Sequence, residues 1–363
     1  MALAYDAVIA TIVVASDATS VTKTMVKSTT WREGTSGEWK STSCTLEAGK
    51  TYQFRTPNSG SGSGTTAVLP NIKASVTVGW DTSGSTITSV GNYFLYYYAY
   101  GCNKLTSLSV PDTSGLTTVG NYFMDSYARS CSSLTSLSVP DTSGLTTVGN
   151  YFMSSYARSC SSLTSLSVPD TSGLTTVGDS FMRYYAYGCS SLTSLSVPDT
   201  SGLTTVGSSF MSYYAGNCTS LTSLSVPDTS GLTTVGDYFM YYYAYGCSGL
   251  TSLSVPDTSG LTSVGDSFMS YYAGNCSSLT SLILKGDTGW FSSHNISWGI
   301  PSSRLNYLYA YCESAYLTNW QGLTTSGKTL YTNYIQSPSY VKALVIPTPV
   351  IGEKYPLPPF RRS

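Results

Sequence analysis

Across most of the chain the hydrophobic positions recur at a fixed interval. In residues 102–130, "CNKLTSLSVPDTSGLTTVGNYFMDSYARS", Leu105, Leu108, Val110, Leu116 and Val119 stand among small polar residues. Twenty-nine residues later the same places hold Leu134, Leu137, Val139, Leu145 and Val148, and cysteines at 102, 131, 160, 189, 218, 247 and 276 keep the same interval. Such a period is the signature of a solenoid, in which each coil buries its apolar side against its neighbours.

Within the unit, "LTSLSVP" alternates apolar with small polar residues, the period of a half-buried strand, and Pro111 then ends ladder pairing. "DTSG" supplies a turn. Asn121, Asn150, Asp179, Asp237 and Asp266 follow "VG", at the place of a helix N-cap, which predicts a short helix over the next eight or so residues. In it Phe123, Met124, Tyr127 and Ala128 fall on one face at 3.6 residues per turn and recur as Phe239, Met240, Tyr243 and Ala244. One tyrosine per coil therefore belongs to the core, its hydroxyl reaching the edge or a buried partner.

The ends lack the period. Residues 1–70 contain alternating stretches such as "AVIATIVVA" and "KTYQFRT", read as a β-rich anchoring or assembly module. Its first strand, long and uncharged at its centre, is a candidate for pairing with a neighbouring subunit's sheet edge. The repeats occupy 71–285 as about seven coils, residues 286–345 are expected to cap the open end, and 346–363 form a Pro-rich tail.

Composition narrows the chemistry. Only 10% of the 363 residues are charged and the net charge is −1, so nothing favours nucleic acid or an anionic membrane surface as partner. The single histidine, His294 in "WFSSHNISW", excludes sites needing two imidazoles and reads as a packed loop residue. No paired acids, nucleophile with a base, phosphate loop or metal cluster stands out, so the reading is a non-enzyme without cofactor or metal. "AVIATIVVA" (7–15) follows Asp6 without a preceding basic residue and falls well short of the roughly 20 residues that span a bilayer; it reads as a strand, not a signal peptide or a membrane span. Export by another route, a removed leader or release in a virus particle all stay open.

One cysteine per coil, evenly stacked, behaves as a small hydrophobe, and free buried thiols are expected over disulfides between coils. Asp112, Asp141, Asp170, Asp199, Asp228 and Asp257 form a second row. Calcium would need six to eight oxygens, and "PDTSG" offers no second carboxylate, so turn capping is the expected role. Ser occupies the strand positions at least as often as Thr, which counts against an ice-binding plane.

The unit "CSSLTSLSVPDTSGLTTVGDSFMRYYAYGC" resembles the leucine-rich repeats of the BspA-like family of surface proteins over about residues 75–285. The matching positions are Cys189, Leu192, Leu195, Val197, Pro198, Leu203, Val206 and Gly207; this unit is about six residues longer than the family's, in the "DTSG" turn and the helix. The resemblance implies a solenoid of leucine-rich-repeat type with a short strand and a short helix per coil, and a role in adhesion and binding.

Nearly all variation among the coils is confined to the outer side of the expected helix. The column of residue 125 reads Tyr96, Asp125, Ser154, Arg183, Ser212, Tyr241 and Ser270; the next reads Tyr97, Ser126, Ser155, Tyr184, Tyr213, Tyr242 and Tyr271; the one after Ala reads Tyr100, Arg129, Arg158, Tyr187, Gly216, Tyr245 and Gly274. Tyr with Ser, Gly and Asn is the alphabet of antibody paratopes. Neutral drift would bring in Lys and Glu, and the full copies contain neither in these columns. The candidate binding residues are thus Tyr96, Tyr97, Tyr100, Arg129, Arg158, Arg183, Tyr184, Tyr187, Tyr213, Tyr241, Tyr242, Tyr245 and Tyr271. The expected function is recognition at a cell surface or on a virion, as an adhesin or receptor-binding fibre. The partner would be a protein or glycan receptor or further copies of the chain in a homo-oligomer; a subunit of an extracellular filament is the competing reading.

Overall fold

The computed structural model describes residues 7–26, 29–57, 68–80, 87–284, 299, 309–312, 324–325 and 328–329. His294 and the tail 346–363 lie outside them. The architecture is a β-solenoid, and its first turns are continuous with the N-terminal strands. β1 (Ala7–Val14) lies between β5 (Thr51–Pro57) and β6 (Ala74–Trp80), antiparallel to both. β2 (Val21–Lys23) pairs with β4 (Cys44–Leu46), and β3 (Thr30–Glu33) with β5. Val8, Ala10 and Ile12 are fully buried, as their alternation requires. β1 is therefore a central strand with both edges occupied, so it cannot pair with a neighbouring subunit, contrary to expectation.

β6 turns this sheet into the solenoid. Val76 pairs in parallel with Leu108 on the strand Ser107–Leu108, which pairs in turn with Leu137 on Ser136–Leu137. Further along, Leu195 pairs with Leu224, and Leu253 with Leu282. The strand Tyr309–Cys312 then pairs in parallel with Ser281–Leu284, carrying the row one place further into the stretch expected to be the cap. A second row, not foreseen, runs along another side. Thr118–Val119 and its equivalents form a seven-stranded parallel sheet from Ser89–Val90 to Ser263–Val264. Threonine hydroxyls reinforce it across coils, Thr117 donating to the carbonyl of Thr88 at 3.2 Å and Thr262 to that of Thr233 at 3.0 Å.

The expected helix is absent; none of the described residues is helical. The third side of each coil is instead a ribbon of overlapping turns. In the first coil, the one ending at Cys102, the N–H groups of Tyr96, Tyr98 and Cys102 donate to the carbonyls of Tyr93, Leu95 and Ala99 at 3.0–3.3 Å. Leu95, Tyr97 and Gly101 carry the positive φ (53, 54 and 72°) that marks the third place of a type II turn. Other N–H groups of the ribbon point to the next coil, Tyr93 donating to Asn121 (2.8 Å), Ala99 to Tyr127 (2.8 Å) and Gly101 to Arg129 (2.9 Å). Spacing explains the choice. Successive phenylalanine rings stand 5.4–5.5 Å apart, near the strand spacing, whereas packed helices need about 8–10 Å. A helix would also satisfy its own backbone and leave nothing to bond the next coil. Left-handed tyrosine, methionine and serine cost about 1–2 kcal/mol each, which the cross-coil hydrogen bonds offset.

The residues expected to cap a helix bond between coils as well. Asn121 Oδ1 accepts from the N–H of Asn150 (2.9 Å), Asn150 from Asp179 (2.9 Å), Asp179 from Ser208 (2.8 Å) and Asp237 from Asp266 (2.8 Å). The aspartate row caps turns as anticipated: Asp112 Oδ1 accepts from the N–H of Ser114 at 3.0 Å and its hydroxyl at 2.7 Å, with the same arrangement at Asp141, Asp170, Asp199 and Asp228. These bonds hold the carboxyls of Asp112 and Asp170 below the ordinary range.

The core keeps the face that the periodicity assigned, although no helix carries it. Phe123, Met124, Tyr127 and Ala128 are fully buried, as are Phe239, Met240, Tyr243 and Ala244. Trp80 stacks on Phe94, and the phenylalanines continue unbroken from Phe94 to Phe268. A parallel tyrosine stack runs from Tyr98 to Tyr272. Each of these hydroxyls after the first crosses the coil to a serine carbonyl eighteen residues earlier, as Tyr185 to Ser167 and Tyr214 to Ser196, both at 2.7 Å. The cysteines beside them are free and buried, and from Cys131 onward each thiol donates to the alanine carbonyl of the preceding coil, as Cys189 to Ala157 at 3.1 Å; Cys102 donates to Leu69.

Candidate functional site

The ribbon places the variable columns on the outer side of the solenoid, though less openly than the sequence implies. Tyr96, Tyr97, Tyr100, Arg129, Arg158, Arg183, Tyr184, Tyr187, Tyr213, Tyr241, Tyr242 and Tyr245 are half-buried, and of the candidates Tyr271 alone is well exposed, at 43%. Of the small polar members of the columns, Asp125, Ser126, Ser154, Ser155 and Ser212 are buried and Ser270 is half-buried.

The rings are organised by stacking between coils. Tyr184, Tyr213, Tyr242 and Tyr271 form one row with centroids 4.6–4.7 Å apart. Tyr241 meets Tyr213, Tyr242 and Tyr271 edge-on, joining the next column to this row. At the other end Tyr96, Tyr97 and Tyr100 make a smaller edge-on cluster. Face-to-face stacking hides the ring faces within a row, so edges and hydroxyls are what the row presents outward.

A column that sequence comparison passed over completes the surface. Tyr93, Tyr122 and Tyr151, directly after the Asn/Asp ladder, stack at 4.6–4.7 Å, and Tyr238 of the same column is 45% exposed. The signal was present, since this column changes between Tyr and Ser as the others do. Its residues lie beside the core phenylalanines and fall off the expected helix face.

Other parts of the variation serve packing. The position before each cysteine reads Gly101, Ser130, Ser159, Gly188, Asn217, Gly246 and Asn275, and all seven have φ of 58–75°. Glycine and asparagine tolerate that region best, so the alphabet here is a backbone requirement. Tyr187 and Tyr245 lie against glycines: a Cβ at Gly216 would sit 2.8 Å from Tyr187 Cδ2, and one at Gly274 2.7 Å from Tyr245 Cδ2. Asn217 and Asn275 donate to the two tyrosine hydroxyls, each at 2.7 Å.

The arginines sit over rings. The Arg158 guanidinium carbon lies 4.5 Å from the centroid of Tyr184 and 5.2 Å from that of Tyr187; Arg183 lies 4.9 Å from Tyr184, and Arg129 5.5 Å from Tyr100. Asp125 hydrogen-bonds the Ser126 hydroxyl at 3.0 Å, and burial pushes its carboxyl up to about 7 against the opposing pull of that bond and of Arg129. Among the described residues no group of three or more His, Cys, Asp or Glu could hold a metal ion. Chemically the surface offers aromatic edges, neutral hydroxyls and guanidinia.

Residues 82–297 match the BspA type leucine-rich repeat region, in six copies. No curated protein matches the chain. Among solved structures it is similar to a leucine-rich repeat protein from Bacteroides ovatus, at 17% identity over 66% of this chain and 75% of that one, with a TM-score of 0.25. It is also similar to the pneumococcal vaccine antigen PcpA, at 13% identity over 68% and 71%, with a TM-score of 0.26. Superposition that loose adds nothing to the architecture, which rests on the internal ladders. The repeat match covers more than half of the chain, and the chain belongs to the BspA-type leucine-rich repeat family.

Proposed function

We propose that this is a non-enzymatic recognition protein, an adhesin of a cell surface or a receptor-binding fibre of a virion, which engages its partner through the outer tyrosine ribbon. The observation that carries the reading is the row Tyr184, Tyr213, Tyr242 and Tyr271, stacked at 4.6–4.7 Å on hydrogen-bonded coils. These rings are already immobilised, so little side-chain entropy remains to be lost on binding. They are also the residue type that dominates binding hot spots. The family is one of surface proteins, which supports an extracellular setting.

The test is a variant with Tyr213, Tyr242 and Tyr271 all changed to Ser, a residue the same column holds at Ser126 and Ser155. Parent and variant are compared on a printed array of glycans and extracellular-matrix proteins and by sedimentation. The expected result is loss of array binding with the solenoid still folded by circular dichroism. A folded variant that binds as the parent does refutes the reading, and concentration-dependent assembly lost in the variant makes the partner a second copy of the chain.

A further inference from the structure

The repeat array carries very few cations, and they converge. Between Leu105 and Leu284 the basic residues are Arg129, Arg158 and Arg183, in three consecutive coils and all in the variable columns. Arg158 and Arg183 share the ring of Tyr184, with guanidinium carbons 4.5 and 4.9 Å from its centroid. Arg158 feels the other two: burial first, then Arg129 and Arg183, hold it below the ordinary arginine range. Clustered like charges raise the energy of the fold, and among the described residues none of the three arginines forms an ion pair. Ion pairs such as Lys50 with Glu33 and Glu47 and Lys73 with Asp17 belong to the N-terminal region. Asp125, the one acid of the variable columns, is buried, is drawn toward ionisation by Arg129, and at about 7 carries only a partial charge at neutral pH. Arg183 Nε is buried without an acceptor among the described residues.

A group of guanidinia without ion-pair partners, on a rigid frame, fits carboxylate or sulfate, which arginine binds through paired N–H donors. What surrounds it narrows the carrier. A peptide docked through its backbone would need a free sheet edge, and one held by an acidic motif at the arginines alone would leave the neighbouring tyrosine edges unused. Here the ribbon backbone bonds to the adjacent coils, as in Ser155 to Arg183 at 2.6 Å and Tyr184 to Ser212 at 2.9 Å. The neighbours are tyrosine edges and hydroxyls, which suit a ligand rich in hydroxyls. Three arginines in a chain of net charge −1 give a long nucleic acid little electrostatic footing.

We propose that Arg129, Arg158 and Arg183, with the tyrosine row beginning at Tyr184, form a site for an acidic glycan, the guanidinia taking its carboxylate or sulfate groups and the tyrosines its hydroxyls. This rests on the recognition reading above and names its ligand class. The experiment is biolayer interferometry of the full chain against heparin-derived oligosaccharide, sialyllactose, neutral lactose and polyglutamate. It is run on the parent, the Arg158→Gln/Arg183→Gln variant, the charge-keeping Arg158→Lys/Arg183→Lys variant and the Tyr213→Ser/Tyr242→Ser variant. Binding of an acidic sugar that falls with salt, falls roughly tenfold or more in the Gln variant and is partly kept in the Lys variant is expected. No binding of either acidic sugar, or equal binding by parent and Gln variant, overturns the proposal. Polyglutamate bound more tightly than the sugars overturns the glycan class. Array binding kept in the Gln variant but lost in the Tyr variant overturns the anion site and leaves the recognition reading standing.

Discussion

Tyr187 lies across Gly216 of the following coil, so closely that a Cβ at 216 would stand 2.8 Å from the ring's Cδ2, and Asn217 Nδ2 ties down its hydroxyl at 2.7 Å. Tyr245, Gly274 and Asn275 repeat the arrangement. A tyrosine in one coil is thus answered by Gly-Asn in the next, and this part of the variation is internal complementarity. It removes Tyr187 and Tyr245 from the freest part of the surface and leaves the row from Tyr184 to Tyr271.

Gly216→Ala should therefore destabilise by about 1–3 kcal/mol through overpacking against the ring. Adding Tyr187→Ser should recover much of that loss, since Ser cannot reach the new methyl group. Urea unfolding of the two single variants and the double variant measures the coupling. Additive effects would mean that the ring and the glycine do not pack as described.

The core tyrosines offer an internal control. Tyr185 donates to the Ser167 carbonyl at 2.7 Å, whereas the Tyr98 hydroxyl is buried without a partner among the described residues. Tyr185→Phe should cost roughly 1–3 kcal/mol, because it leaves a carbonyl unsatisfied. Tyr98→Phe should be neutral or stabilising, since it removes an unpaired buried hydroxyl. Thermal denaturation of both variants decides it, and an equal loss in both would contradict the assignment.

The repeat, the leucine ladder and the buried face Phe123, Met124, Tyr127 and Ala128 were legible because burial follows spacing whatever the backbone does. The helix was misread for the same reason. Residues at i, i+1, i+4 and i+5 share a side in a helix and also in this ribbon, and hydrophobic pattern alone cannot separate the two. The position before each cysteine, always Gly, Asn or Ser, marks a left-handed residue in every coil, but such a residue also closes an ordinary helix and does not separate the two. The strand Thr118–Val119 was missed because two residues are too few to show a period. In the site, the sequence named the columns but not the stacking between coils, which depends on a spacing that only the assembled solenoid sets.

Burial should also silence the thiols. Cys189 is fully buried, donates to Ala157 at 3.1 Å, and is pushed up to about 12 by burial. Thiolate, the reactive form, is then scarce at neutral pH. Thiol counting with a chromogenic disulfide reagent should find the cysteines of the array unreactive in the native protein and titratable after denaturation. Rapid native labelling of Cys131 to Cys247, or thiols missing after denaturation without reductant, would contradict this.

Asp125 gives the array a pH dependence of definite sign. Its carboxyl is 8% exposed, is bonded to the Ser126 hydroxyl, and is pushed up to about 7 chiefly by burial. In the unfolded chain the same group titrates near 4. Below about pH 4 it is protonated in both states and exerts no pull on the equilibrium. Between about pH 4 and 7 the unfolded chain releases the proton while the native state keeps it, so stability falls with rising pH, by at most about 1.4 kcal/mol per unit from this group. Above about 7 the loss levels off. Asp125→Asn, which cannot ionise, should melt close to the parent near pH 4 and increasingly above it toward pH 8. Arg129→Gln should strengthen the parent's dependence, because Arg129 favours the ionised form. Melting curves of the three proteins across this range test the assignment: a gap between parent and Asp125→Asn that stays constant with pH would show that Asp125 is ionised in the native state throughout.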